Sequence, residues 1–155
     1  MPAEIRLKPE IREANYGSFE GGDDSETWGD IFERFDLSQN TVLTDFNAIF
    51  DKTTNENIRN LLAESDAYNL AEKYTDLKNR FIKFTDELKS IKDAENVLIV
   101  SHGGSVQMLL ELLLPDEKGL TEVDNCSTSI VDTKNEKLIA FNETGYIKKQ
   151  VLTKL

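Results

Sequence analysis

The chain holds one histidine in 155 residues, and it stands in Val97-Leu98-Ile99-Val100-Ser101-His102-Gly103-Gly104. Four apolar residues without polar alternation read as a central strand covered on both faces, so the Ser-His-Gly-Gly turn falls at a strand's carboxyl end. Ligands of open α/β sheets bind beyond that end. A helix starting after the turn offers free N–H groups to an anion, and two glycines let a phosphate approach the backbone closely. His102 can meet a phosphoryl group there. A lone histidine in an arbitrary sequence is more often a surface turn residue; its placement is what favours the functional reading.

A second unit, Ile11-Arg12-Glu13-Ala14-Asn15-Tyr16-Gly17-Ser18-Phe19-Glu20-Gly21, puts an acid at the end of an extended segment, an aromatic three residues on, and glycines beyond. An acid beside a phosphate leaving group adds about 10²–10⁴-fold in rate. Alone this unit says little: with 29 acidic residues a given glutamate is usually a solvated surface group, and Tyr16 or Phe19 is more often core than ligand platform. Arg12 neighbours Glu13 on extended backbone, where side chains point to opposite faces, which argues against it as a clamp.

In this order the two units resemble the histidine phosphatase superfamily, the group that includes phosphoglycerate mutases. The family's acid motif, Leu-x-Glu followed by aromatic-Gly-x-x-Glu-Gly, is similar to Ile11 to Gly21, and its second-histidine motif to Val97 to Gly104. Asn125-Cys126-Ser127-Thr128-Ser129-Ile130 resembles the family's Asn-x-Ser strand, and Glu64-Ser65 its Glu-Ser pair at the head of the long helix. The resemblance implies a three-layer α/β/α fold with a mostly parallel sheet. It also implies Glu13 as general acid, His102 as charge-stabilising histidine, and Tyr16, Gly103 and Gly104 at substrate-contact positions. The parent activity is phosphomonoester hydrolysis through a phosphohistidine, without metal or cofactor, on a small phosphorylated metabolite.

One departure weighs against that activity. The family's nucleophile is a histidine in an Arg-His-Gly motif on the first strand, with a further arginine in a Ser-x-Leu-x-Arg-Ala helix, and neither motif occurs here. Because His102 matches the second histidine, the nucleophile is absent and covalent catalysis has no first step. The expectation is a single, partial domain over 1–155, its fold incomplete at the N-terminus and inactive alone. Val97–Val100 then lies beside a vacancy, so the chain is expected to self-associate, to be partly unfolded, or to dock a missing N-terminal segment. Glu20-Gly21 resembles the phosphatase branch more than the mutases. A non-catalytic phosphate-ester-binding or regulatory protein is the alternative. An α/β-hydrolase, suggested by His102-Gly103-Gly104 as an oxyanion turn, fails on counting: there is no Gly-x-Ser-x-Gly elbow, and one histidine cannot serve both turn and triad.

The elements that must position these residues follow from periodicity. Asp24 or Ser25 caps a helix bearing Trp28, Ile31, Phe32 and Phe35 on one face. Residues 38–53 read as a loop with one short turn of helix. Thr54 or Asn55 starts a short helix to about Glu64, and Ser65 caps a long one striped by Tyr74, Leu77, Phe81, Phe84, Leu88 and Ile91. Ser105 to Leu114 is an apolar helix stopped by Pro115. Ser127–Thr133 and Lys137–Phe141 form a hairpin through Lys134-Asn135-Glu136, and 146–152 add a terminal strand or tail.

Composition limits the partners. Eighteen Lys and Arg against 29 Asp and Glu leave a net charge of −11, which repels nucleic acid and anionic lipid. The N-terminus lacks the apolar run of a signal peptide, and no stretch approaches the roughly 20 apolar residues of a membrane span. One cysteine, Cys126, closes no internal disulfide and with one histidine makes no thiolate or imidazole zinc site. A cytoplasmic location is expected.

Overall fold

The structure, a computed structural model, describes residues 4–37, 47–91, 96–117 and 123–145. Two apolar clusters share one border residue, Tyr16. The first gathers Ala14, Leu77, Phe81, Phe84, Met108 and Leu109; the second gathers Ile31, Phe32, Ile49, Ile58 and Leu62.

Helix α1 spans Asp24–Arg34, and its cap is Asp23, whose carboxylate accepts from Ser25 N at 2.9 Å. That is one residue ahead of the expected cap. It buries Ile31 and Phe32. A single turn, α2, covers Asn47–Phe50, within the region expected to hold one; residues 38–46 lie outside the described residues. Helix α3 covers Asn55–Ser65 and is capped by Thr54, whose Oγ1 accepts from Asn57 N.

The long helix does not begin at Ser65. Ser65 is the last residue of α3, and α4 runs Tyr74–Ser90. Between them Asp66 diverts the backbone: its buried carboxylate accepts from the N–H groups of Ser18, Tyr68, Leu70 and Ala71. A short carboxylate that satisfies nearby N–H groups competes with the helical ladder. The expected stripe is nonetheless the buried one, with Leu77, Phe81 and Phe84 in the core.

Helix α5 spans Gly103–Leu113, so both glycines lie inside its first turn rather than in the preceding loop. Met108, Leu109 and Leu110 are buried, and Leu114 ends it before Pro115. Strands β1, Thr128–Asp132, and β2, Lys137–Glu143, pair antiparallel with Asp132 opposite Lys137. The connecting turn is held by the Asp132 carboxylate, which accepts from Lys134 N, Asn135 N and Asn135 Nδ2. The terminal strand or tail expected at 146–152 lies outside the described residues.

This pair is the whole sheet among the described residues, in place of the mostly parallel, three-layer arrangement expected. Residues 97–100 form no strand and no ladder bond among the described residues, with Leu98 86 % and Val100 83 % exposed and only Ile99 packed against the first cluster. β-prone residues make a strand only where a neighbour accepts and donates the ladder bonds, and no described backbone does so here. A groove of about 780 Å³ separates 97–100 from the extended residues 4–8, floored by Phe84, Leu88 and Ile91 of α4. Among the described residues no helix is long and apolar enough to cross a membrane.

Candidate functional site

The acid segment is irregular backbone, yet nearly every carbonyl in it is held. Arg80, on α4, donates to the carbonyls of Glu10, Arg12 and Glu13 and forks onto the Glu72 carboxylate at 2.8 and 2.9 Å. Glu72 in turn accepts from Asn15 N, and its own N–H donates to Asn15 O. Ser101 Oγ donates to Ile11 O, and the buried Ser105 Oγ to Arg12 O at 2.8 Å. Burial alone would raise the Glu72 carboxyl, but the Arg80 guanidinium and the Asn15 N–H outweigh it and hold the group below the usual carboxylate range.

This scaffold sets Glu13 against the first turn of α5. Its Oε1 accepts from Ala14 N at 2.8 Å and lies 3.4 Å from Ser105 Oγ. A Cβ on Gly104 would stand 3.0 Å from the same oxygen, so glycine is what allows the carboxylate this close. Arg12 turns away and pairs with Glu72 at 3.2 Å. His102 occupies the N-cap of α5 without a side-chain capping bond, and its exposed ring lines the groove. The structure therefore gathers Glu13, Gly103 and Gly104 about one helix start, with His102 at its outer edge.

Tyr16 lies on the other side of that start, edge-on to Trp28 with ring centroids 6.2 Å apart. Its chain turn depends on Gly17, which has φ +62° and no room for a Cβ against the Asp66 carboxylate. Hydrogen bonding from Ser18, followed by the N–H groups of Ala71 and Tyr68, holds the Asp66 carboxyl well below its ordinary value.

Over the Tyr16 ring, 5.1 Å from its centroid, sits the guanidinium of Arg59. Arg59 belongs to α3, is 5 % exposed, and reaches the point that a Gly104 Cβ would occupy. Sequence reasoning missed it. The available signal was its helical position, since Asn55, Ile58, Arg59, Leu62 and Ala63 recur at the spacing of one buried face. Tyr16, Arg59, Gly103 and Gly104 line a pocket of about 250 Å³ with Trp28, Phe50 and Ile58.

One of the motif assignments lands elsewhere. Glu64-Ser65 closes α3, and the carboxylate ahead of the long helix is Glu72. Asn125-Cys126-Ser127 forms the turn into β1, with Cys126 at φ +60° and Ser127 N donating to Asp124 O.

A helix start with unused N–H donors, an adjacent carboxylate and a buried guanidinium can hold an anion and protonate a group leaving it. The sequence model of the histidine phosphatase superfamily (branch 1) matches residues 1–143. The chain belongs to that superfamily. Comparison with curated proteins and with solved structures found no match.

Proposed function

We propose that this chain carries the acid and anion-binding part of a phosphomonoester site of the phosphatase kind. The phosphoryl oxygens take the Gly103 and Gly104 N–H groups, the His102 imidazole faces the phosphoryl charge, and Glu13 protonates the departing alcohol. Tyr16 walls the substrate. The observation that supports this most directly is the Glu13 carboxylate held against Gly104 by a backbone that Arg80 and Ser105 clamp.

With one histidine in the chain, and that one at the α5 N-cap, no second imidazole is present to form a phosphohistidine. The isolated chain therefore binds phosphate esters without turning them over. The groove between 4–8 and 97–100 admits one further extended strand. A strand there would pair both edges and convert the exposed Leu98 and Val100 into the centre of the mostly parallel, three-layer sheet. The partner is either a second copy or the segment that supplies the nucleophile. The setting proposed is the cytoplasm, and the ligand a small phosphorylated metabolite.

Hydrolysis of an aryl phosphate from about pH 5 to about 8, read beside inorganic phosphate binding, tests this. The expected result is no turnover by the chain alone, and binding that His102→Ala weakens. Turnover that both His102→Ala and Glu13→Gln abolish would overturn the inactivity and make His102 itself the nucleophile.

A further inference from the structure

The Arg59 guanidinium is a buried charge that no acceptor meets. Among the described residues it has no hydrogen bond and no ion pair; its only recorded partner is the Tyr16 ring. The residue is 5 % exposed and its guanidinium opens only onto the adjoining pocket, and it is aimed at the start of an eleven-residue helix whose first N–H groups also make no bond among the described residues. Glu13 Oε1 lies near the same Gly104 position without forming an ion pair with it. Two kinds of donor, the Arg59 guanidinium and the first N–H groups of α5, thus face one small volume with the Glu13 carboxylate at its edge.

We propose that Arg59 is a phosphate-binding residue: with the Gly103 and Gly104 N–H groups it grips the phosphoryl group of a compact monoester whose flat, apolar body lies in the adjoining pocket. This deepens the phosphomonoester reading and rests on it. The pocket holds about 250 Å³, below the roughly 300–1,000 Å³ typical of drug-sized ligands. Tyr16, Trp28, Ile49, Phe50 and Ile58 line it, beside the polar Asn55 and Gln107. The aromatic and aliphatic side chains reward a flat apolar body. The Tyr16 ring under the guanidinium keeps its plane and charge in place before the ligand arrives.

Trp28 is the single tryptophan, so its fluorescence reports on this pocket directly. Phenyl phosphate and inorganic phosphate are titrated against the full chain, with Gly103 and Gly104 amide resonances followed in parallel. The expectation is tighter binding of phenyl phosphate than of inorganic phosphate, weakened at least about tenfold by Arg59→Met and partly restored in Arg59→Lys. Arg59→Gln, which keeps a polar head without the charge, weakens binding by a similar factor and decides the matter should Arg59→Met fail to fold. Wild-type shifts at Gly103 and Gly104 that persist unchanged in the folded variants would overturn the role of Arg59 and leave the phosphomonoester reading standing. No shift at either glycine in the wild type would overturn both. Equal affinity for the two phosphates would overturn the apolar body.

Discussion

Residues 10–16, which leave a single 3-10 turn at Pro9–Ile11, and residues 96–101 both lack α-helix and strand, and they are held in opposite ways. In the first, the carbonyls of Glu10, Ile11, Arg12 and Glu13 each accept from a side chain, three of them from Arg80. In the second, no backbone bond involves residues 97–100 among the described residues, and Leu98 and Val100 face solvent. Regular structure is thus not what orders backbone; satisfied polar groups are. A guanidinium with a fixed fork can stand in for a sheet ladder, whereas a run of β-branched residues without a neighbour cannot.

The largest expected break in this contrast comes from Arg80→Met. It frees three carbonyls and leaves the Glu72 carboxylate only Arg12 and the Asn15 N–H as partners, which should cost about 2–3 kcal/mol in a urea melt. Hydrogen exchange should quicken first at Ala14 and Asn15, whose N–H groups bind Glu13 and Glu72. Uniform loss of protection along the chain would instead mean that Arg80 supports the core and not the acid segment.

Acid should act on the same side of the molecule. The Asp66 and Glu72 carboxyls lie below their ordinary values of 3.8 and 4.5 in the folded chain. A depressed folded value means that the unfolded chain takes up protons first, so this stabilisation is complete above about pH 5 and is lost as pH falls further. The urea midpoint should drop between about pH 5 and about pH 3, and Glu72→Gln should flatten part of that slope. An unchanged slope in that variant would leave the other lowered carboxyls, Asp66, Asp23, Asp132 and Glu4, as its source.

The smallest effect on stability belongs to the unpaired side. Leu98→Lys with Val100→Lys should move the urea midpoint by no more than about 0.5 kcal/mol per site. The same pair of charges should abolish concentration-dependent association in sedimentation velocity, because charged edges resist strand pairing. A large loss of stability would show that 97–100 is ordered by contacts along its length and would erase the comparison.

Local patterns carried much of this molecule. The stripe from Tyr74 to Leu88 specifies its helix because every third or fourth residue is apolar, and Thr54, Pro115 and the Asp132–Lys137 turn mark boundaries through their own side chains or missing donors. Glu13, Gly103 and Gly104 could be singled out for the same reason: their motifs are short and contiguous. Ser65 could not be placed so, since the choice between continuing the helix and stopping it rests on Asp66 finding Ser18, 48 positions away along the chain. Arg59 looked like any helix arginine until its neighbours on the buried face were known.

What the sequence determined alone is therefore the helices, the hairpin and the family, each encoded in a contiguous local pattern. Tertiary structure decided which extended segment is held and which is bare, and which arginine faces Gly104. Those outcomes depend on donors and acceptors far apart in the chain, whose meeting no local spacing specifies.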